Sequence, residues 1–239
     1  MENFLATLVD LLFPVRCVGC DSLIKEGDGG PFCERCISKI HFIKSPICPR
    51  CGIPFRAGGS DHLCGECIRT RQYFTMARSV GLYETALLNA IHRFKYGKST
   101  AAGKALGKIM ALFDFPGLEM RRFSVIMPVP LHPDRLRERG FNQSLILARE
   151  IAGHHCLPLD FTSLKRKRYT EPQIGLGKDA RSPNVRGAFE VGGKENISGR
   201  KVVLVDDVYT TGSTVRECAR TLLGNGAEEV AVLTLARAI

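Results

Sequence analysis

From residue 77 onward the apolar positions follow two different periods. Residues 77–83 (ARSVGLY), 124–129 (SVIMPV), 202–205 (VVLV) and 229–236 (EVAVLTLA) are short runs of aliphatic residues, the pattern of buried strands. Between them, apolar residues recur at helical spacing. The segment 84–97 (ETALLNAIHRFKYG) ends at Gly97, and 99–113 (STAAGKALGKIMALF) opens with Ser99 or Thr100 as its cap. Residues 141–154 (FNQSLILAREIAGH) form a third helical segment, and 213–227 (STVRECARTLLGNGA) a fourth, stopped by Gly224 and Gly226. Such alternation predicts an α/β domain with a mostly parallel sheet. Ahead of it, Phe4, Leu5, Leu8, Val9, Leu12 and Phe13 mark a short docking helix within residues 1–14. The only early charge there is Glu2 and no cleavage pattern follows, so the segment is not read as a secretory leader. No apolar run is long enough to span a membrane, and a cytoplasmic protein is expected.

The N-terminal third carries a different signal. Eight of the ten cysteines form four C-x-x-C pairs: Cys17/Cys20, Cys33/Cys36, Cys48/Cys51 and Cys64/Cys67. A shift of 31 residues superimposes the first two pairs on the last two, and isoleucine follows the last cysteine of each copy (Ile37, Ile68). This is an internal repeat of two small units. Two thiolates on a tight turn chelate one side of a tetrahedral ion, and a second turn completes the site. Units of this size cannot build a sufficient core, so structural zinc, one ion or two, is expected to supply folding energy. Disulfides would need an oxidising compartment that nothing else suggests. Pairing within each unit is the simplest arrangement, and a crossed one, 17/20 with 48/51, has compatible stoichiometry. Cys156 and Cys218 lack metal-like spacing and are expected to be buried free thiols. The composition shift after Cys67 divides the chain into a unit at 1–70 and a second at 71–239.

Ligands of open α/β sheets bind beyond the carboxyl ends of the strands. At one such end stands VVLVDDVYTTGST, residues 202–214, where four apolar residues give way to Asp206 and Asp207. The loop Thr210, Thr211, Gly212, Ser213 and Thr214 then opens a helix. Its glycine permits close approach, its hydroxyls donate, and the helix N-terminus adds unpaired N–H groups, which together suit a phosphate. The carboxylates stand where they can accept hydrogen bonds from vicinal sugar hydroxyls. One ligand satisfying both is a ribose 5-phosphate. The lysine of a Walker-type loop and the G-x-G-x-x-G of a dinucleotide fold are absent. The loop at 128–140 (PVPLHPDRLRERG) occupies another strand end. The long segment 164–189 holds seven basic residues against two acidic ones. The net charge of +10 accords with an anionic partner. Lys95 either faces this site or occupies a solvated last helical turn, and His132 is read as a surface histidine.

The 202–214 stretch resembles the phosphoribosyl-pyrophosphate motif of type I phosphoribosyltransferases. With the cysteine-rich start, FKYGK (94–98), PVPLHPDRLRERGFNQS (128–144) and the basic segment 166–189, the whole chain resembles the ComF family of competence proteins. The resemblance implies a Rossmann-like type I phosphoribosyltransferase domain behind a small double zinc ribbon. It implies that Asp206 and Asp207 are catalytic and hold the ribose hydroxyls, directly or through Mg²⁺. Thr210, Thr211, Gly212, Ser213 and Thr214 would bind the 5-phosphate. Val129, Pro130 and Leu131, supported by Arg139, would form the pyrophosphate loop. Arg166, Arg168, Lys178 and Arg181 would belong to a mobile loop at about 164–189 that closes over pyrophosphate.

Three functions are consistent with this chain. It is a transferase moving phosphoribosyl to an unidentified acceptor, in nucleotide metabolism or competence; a non-catalytic single-stranded DNA-binding factor of the uptake machinery; or a regulator sensing the donor. Phe42, Phe55, Tyr73 and Phe74 could stack on bases, although packing of the small zinc unit accounts for them as well.

Overall fold

The structure is a computed structural model describing residues 15–24, 30–97, 99–169, 185–193 and 197–239. The proposed docking helix at 1–14 lies outside the described residues. Four strands, β1 (Met76–Leu82), β2 (Val125–Pro128), β5 (Lys201–Tyr209) and β6 (Glu229–Arg237), form one sheet in the order β1-β6-β5-β2. Every pairing in it is parallel. Two short strands, β3 (Leu164–Arg166) and β4 (Phe189–Val191), pair antiparallel and close the base of the basic segment.

Side chains alternate across each strand, and both faces are apolar, so each face owns a core. Val203 and Val205 of β5 with Ala231, Leu233 and Leu235 of β6 face one core. Helices α3 (Thr85–Tyr96), α4 (Thr100–Leu112) and α6 (Gln143–His155) supply the rest of it. Val202 and Leu204 with Val230 and Val232 face the other, against α7 (Ser213–Gly224). Ser99 caps α4 by accepting from Ala102 N–H, and Asn142 caps α6 by accepting from Ser144 N–H.

The eight repeat cysteines assemble as two clusters, Cys17–Cys20–Cys33–Cys36 and Cys48–Cys51–Cys64–Cys67, with all sulfurs of a cluster within 4.8 Å of one another. Each cluster comes from one unit of the repeat, which disposes of the crossed arrangement. Short helices α1 (Glu34–Ile37) and α2 (Gly65–Arg69) begin directly after Cys33 and Cys64. The donor set, four thiol sulfurs at tetrahedral-site spacing, fits zinc. Backbone N–H groups aim at sulfur as they do around thiolates: Cys33 to Cys17 Sγ at 3.3 Å and Cys64 to Cys48 Sγ at 3.4 Å.

The clusters straddle the sheet. Cys17 and Cys36 join the first core, whereas Cys48 and Cys51 join the second. The connection between them runs along the outer edge of β1. Ile43 N–H donates to Val80 C=O, Leu82 N–H to His41 C=O and Ala77 N–H to Arg50 C=O. An edge strand open to water invites aggregation, and here the ribbon segment satisfies it. Gly81 permits the approach, since a Cβ there would stand 2.9 Å from the His41 carbonyl oxygen.

Several sequence expectations change. The loop at 128–140 contains helix α5 (Pro133–Arg139), with Pro133 at its first turn and left-handed Gly140 as its stop. His132 is partly exposed, and its ring caps α5 by accepting from Asp134 N–H and packs edge-on against Tyr169. Strand β5 runs on to Tyr209 because Asp206–Tyr209 pair with Thr234–Arg237 of β6. Cys218 is buried as expected, but Cys156 is exposed, in the left-handed residue that ends α6. Phe74 is buried and Phe55 stacks on His62, so these two aromatics pack the ribbon.

Candidate functional site

The acidic pair and the hydroxyl loop line one cavity of about 500 Å³ at the carboxyl end of β5. Asp206, Asp207, Thr210, Gly212, Ser213 and Thr214 lie on one side. Facing them are Tyr83, just beyond β1, and His92, Lys95 and Tyr96 on α3. His92 Nε2 lies 3.0 Å from Tyr83 Oη, and Tyr96 stands edge-on to His92, so three rings make an aromatic wall.

Lys95 Nζ lies 2.8 Å from Asp207 Oδ2. Both side chains are largely buried, at 17% and 12% exposure. Burial alone would depress the Lys95 ammonium, but the Asp207 carboxylate outweighs it and holds the group above its ordinary range. Asp206 accepts from Ser144 Oγ and from Asp207 N–H, each at 2.9 Å. Burial, and then the adjacent Asp207 charge, push its carboxyl up to about 7. A carboxyl perturbed in this way by burial and a neighbouring acid is common at functional sites.

The loop is built to present N–H groups. Gly212 is the N-cap of α7 in left-handed conformation, φ 74°, and as glycine brings no capping side chain of its own, while Thr211 Oγ1 accepts from Ser213 N–H at 3.4 Å. A Cβ at Gly212 would lie 2.2 Å from Tyr209 Oη, so both the conformation and the space require glycine. Thr211 Oγ1 and Ser213 Oγ are 2.9 Å apart, and Arg216 Nη2 donates to the Thr211 carbonyl at 3.4 Å.

Other sequence candidates stand apart. Val129 is buried, its carbonyl accepting from Asn142 Nδ2 at 3.1 Å. Pro130 and Leu131 line a different cavity of about 960 Å³, between α4, α5, α6 and β3. Arg139 donates to Gln143 Oε1 at 2.8 Å, at the start of α6. Arg166 lines that second cavity and lies over Phe189, while Arg168 donates to the Arg186 carbonyl. Lys178 and Arg181 lie outside the described residues. Ser144 was not singled out from sequence. Its only signal is its place in FNQS, where Asn142 holds the 129 carbonyl and Ser144, two residues on, holds Asp206.

A parallel sheet ending in an acidic pair and a glycine-capped hydroxyl loop, joined to two cysteine clusters, defines a phosphoribosyltransferase-fold protein with a zinc ribbon. The family model described as the double zinc ribbon domain matches residues 8–68, and that of the phosphoribosyl transferase domain matches residues 142–239. DNA utilization protein YhgH of Escherichia coli (strain K12) is 34% identical over 236 residues, covering 96% of this chain and 100% of that protein. Competence protein F of Haemophilus influenzae is 30% identical over 95% of this chain and 98% of its own length. Competence protein ComFC of Bacillus subtilis (strain 168) is 31% identical over 86% and 83%. The chain belongs to the ComF family of competence and DNA utilization proteins. Among the described residues no helix is long and apolar enough to cross a membrane.

Proposed function

We propose that the 500 Å³ cavity binds phosphoribosyl pyrophosphate and that the protein is a phosphoribosyltransferase with a nitrogen nucleophile as acceptor. The observation carrying this reading is the placement of an acidic pair, one member paired to Lys95, beside a hydroxyl-rich helix N-terminus whose N-cap is glycine. The 5-phosphate would take the N–H groups and hydroxyls of Thr210–Thr214, where the helix dipole favours negative charge. The ribose hydroxyls would donate to Asp206 and Asp207. Mg²⁺ bound by the donor's own oxygens would offset the charge of the leaving pyrophosphate. The carboxylates supply the hard oxygen ligands that suit that ion. Lys95 would hold Asp207 in place through their ion pair, and Ser144 would orient Asp206.

Sheet order supports a direction for the transfer. The segment after β2 lies on one side of β5, and the aromatic wall after β1 lies on the other. Pyrophosphate leaving toward Val129–Leu131 would place an acceptor by Tyr83, His92 and Tyr96, on the opposite side of the sugar. Calorimetric titration of phosphoribosyl pyrophosphate with Mg²⁺ into wild type and into Asp206→Asn/Asp207→Asn tests the reading. Binding heat in the wild type alone is expected, and equal heats would overturn it.

A second reading, single-stranded DNA binding, is favoured by the 960 Å³ cavity. It combines the exposed ring of Phe161 with Lys104, Arg149, Lys165 and Lys167, cations that outnumber the carboxylates Glu150 and Glu190 in the same lining, and a ring beside cations suits a single strand. The relatives named for DNA utilization and competence point the same way. A gel shift of labelled single-stranded DNA across a salt series should weaken steeply with salt; absence of any shift at low salt would remove this reading.

A further inference from the structure

Arg237 ends β6 and is buried, with 5% exposure. A buried guanidinium is costly unless its partners compensate. Here they belong to the second cysteine cluster. Nη1 donates to the Cys51 carbonyl at 2.6 Å, and Nη2 lies 3.5 Å from Cys51 Sγ. Four thiolates around one divalent ion carry net negative charge, so a cation against their sulfur is held there by that charge.

The other face of the same guanidinium lies over the Tyr209 ring, 4.2 Å from its centroid. Tyr209 is fixed in turn by the edge of Phe74 at 6.4 Å between centroids. Its hydroxyl reaches the spot where a Cβ of Gly212 would be, so the loop backbone rests on the phenol. A parallel link leaves the segment after Cys67: Gln72 Oε1 accepts from Arg216 Nε at 3.2 Å, and Arg216 also holds the Thr211 carbonyl. Among the described residues the first unit meets the opposite wall of the cavity and not the phosphate loop: past Cys36, the Lys39 carbonyl accepts from Thr85 Oγ1 and His41 pairs with Glu84, next to Tyr83. Asp21 pairs with Arg93 of α3 at 2.5 Å, but both side chains are about half exposed, and such pairs contribute little.

We propose that the second cysteine cluster is the rear support of the phosphate loop, with Arg237 and Tyr209 as positioning residues that transmit its metal occupancy to Gly212. Emptying that cluster releases Arg237, then the ring stacked on it, then the backbone resting on the ring. The first cluster lies on the opposite face of the sheet, and among the described residues it has no such path to Gly212. The consequence for ligand affinity rests on the donor-site reading above; the coupling itself does not.

The test is amide hydrogen exchange by mass spectrometry on full-length protein, with zinc content measured on each sample. Wild type is compared with Cys33→Ser/Cys36→Ser, Cys64→Ser/Cys67→Ser, Arg237→Met and Tyr209→Phe. Exchange across residues 209–214 should rise about tenfold or more in the second-cluster variant and in Arg237→Met. It should stay at the wild-type rate in the first-cluster variant, and it should rise in Tyr209→Phe, which keeps the ring over Arg237 but removes the hydroxyl on which the Gly212 backbone rests. Protection of β2 shows that the domain remains folded. Arg237→Met needs no cysteine change, so it decides the matter if a cluster variant fails to fold. Unchanged exchange in Arg237→Met, or equal acceleration by both cluster variants, overturns the proposal. Ribose 5-phosphate calorimetry on the same samples should show affinity falling in parallel. A wild type that binds no ribose 5-phosphate would defeat the donor-site reading while leaving the exchange result to decide the coupling.

Discussion

The Lys95 ammonium lies 2.8 Å from the Asp207 carboxylate, joining the last turn of α3 to the end of β5 across the mouth of the cavity. Removing one partner of a largely buried pair leaves an uncompensated charge, which costs about 3 kcal/mol. Lys95→Met keeps the aliphatic stem and should lower the unfolding midpoint clearly at neutral pH. Adding Asp207→Asn should return much of the loss, since the orphaned charge is then gone. A double-mutant cycle by thermal or urea unfolding measures this, and strict additivity would show that the two residues do not interact. Donor affinity should fall in both single variants.

Asp206 gives the site a pH dependence of defined sign. Its folded carboxyl, held up to about 7 by burial and by Asp207, titrates near 4 once unfolded. The folded state therefore holds the proton more tightly. The penalty for ionising Asp206 builds as pH rises from about 4 to about 7 and is constant above that. Asp206→Asn removes the penalty and should be more stable than wild type at pH 8, with little difference at pH 4. The same variant should lose donor binding, because an amide is a poorer acceptor for ribose hydroxyls. Wild-type affinity for phosphoribosyl pyrophosphate should rise between pH 6 and pH 8 as Asp206 ionises. Calorimetry at three pH values checks the direction, and an affinity falling over that range would contradict it.

The end of β5 was legible because two signals coincide there. A run of β-branched residues predicts a buried strand, and Asp206 followed by the Thr210–Thr214 loop has no packing explanation at its end. The aliphatic runs predicted buried strands, and burial on both faces is what the two cores show. Lys95 was undecided because helical spacing fixes which residues share a face of α3, not which strand end that face meets. Ser144 reads as a first-turn polar residue, and only the crossing of α6 over β5 brings it to Asp206. Helix α5 went unassigned although its proline and glycine were in view, because seven residues carry too little periodicity. The repeat showed two equivalent units; their attachment to opposite faces of one sheet depends on the path along β1, which no local pattern encodes.

Gly212 should tolerate no side chain. Gly212→Ala places a methyl carbon against Tyr209 Oη and demands a left-handed conformation of alanine. The strain alone costs about 1 kcal/mol, and the clash adds to it unless the loop moves. The loop has room to move toward solvent, since Thr210 is exposed. Modest destabilisation and a large loss of donor affinity are therefore expected, read by thermal unfolding and calorimetry on the same preparation. Wild-type affinity in Gly212→Ala would argue against phosphate binding at this loop.

Zinc should be present at two ions per chain, one for each cluster of four sulfurs. Elemental analysis of freshly reduced protein gives the count, and less than one ion per chain would overturn the assignment. Because each cluster is formed within one unit of the repeat, Cys36→Ser and Cys67→Ser should each remove about one ion and leave the other. Loss of both ions from either single variant would require shared ligands, contrary to the geometry. Cys17 and Cys36 belong to one core of the sheet, and Cys48 and Cys51 to the other. Chelation should therefore lower the stability of the α/β domain as well as the ribbon. It should also uncover the outer edge of β1, whose amide and carbonyl groups pair with the ribbon segment, and aggregation on warming should follow. Light scattering during a thermal ramp, with and without chelator, reads this. Identical scattering in the two samples would mean that the ribbon segment keeps its place on β1 without metal.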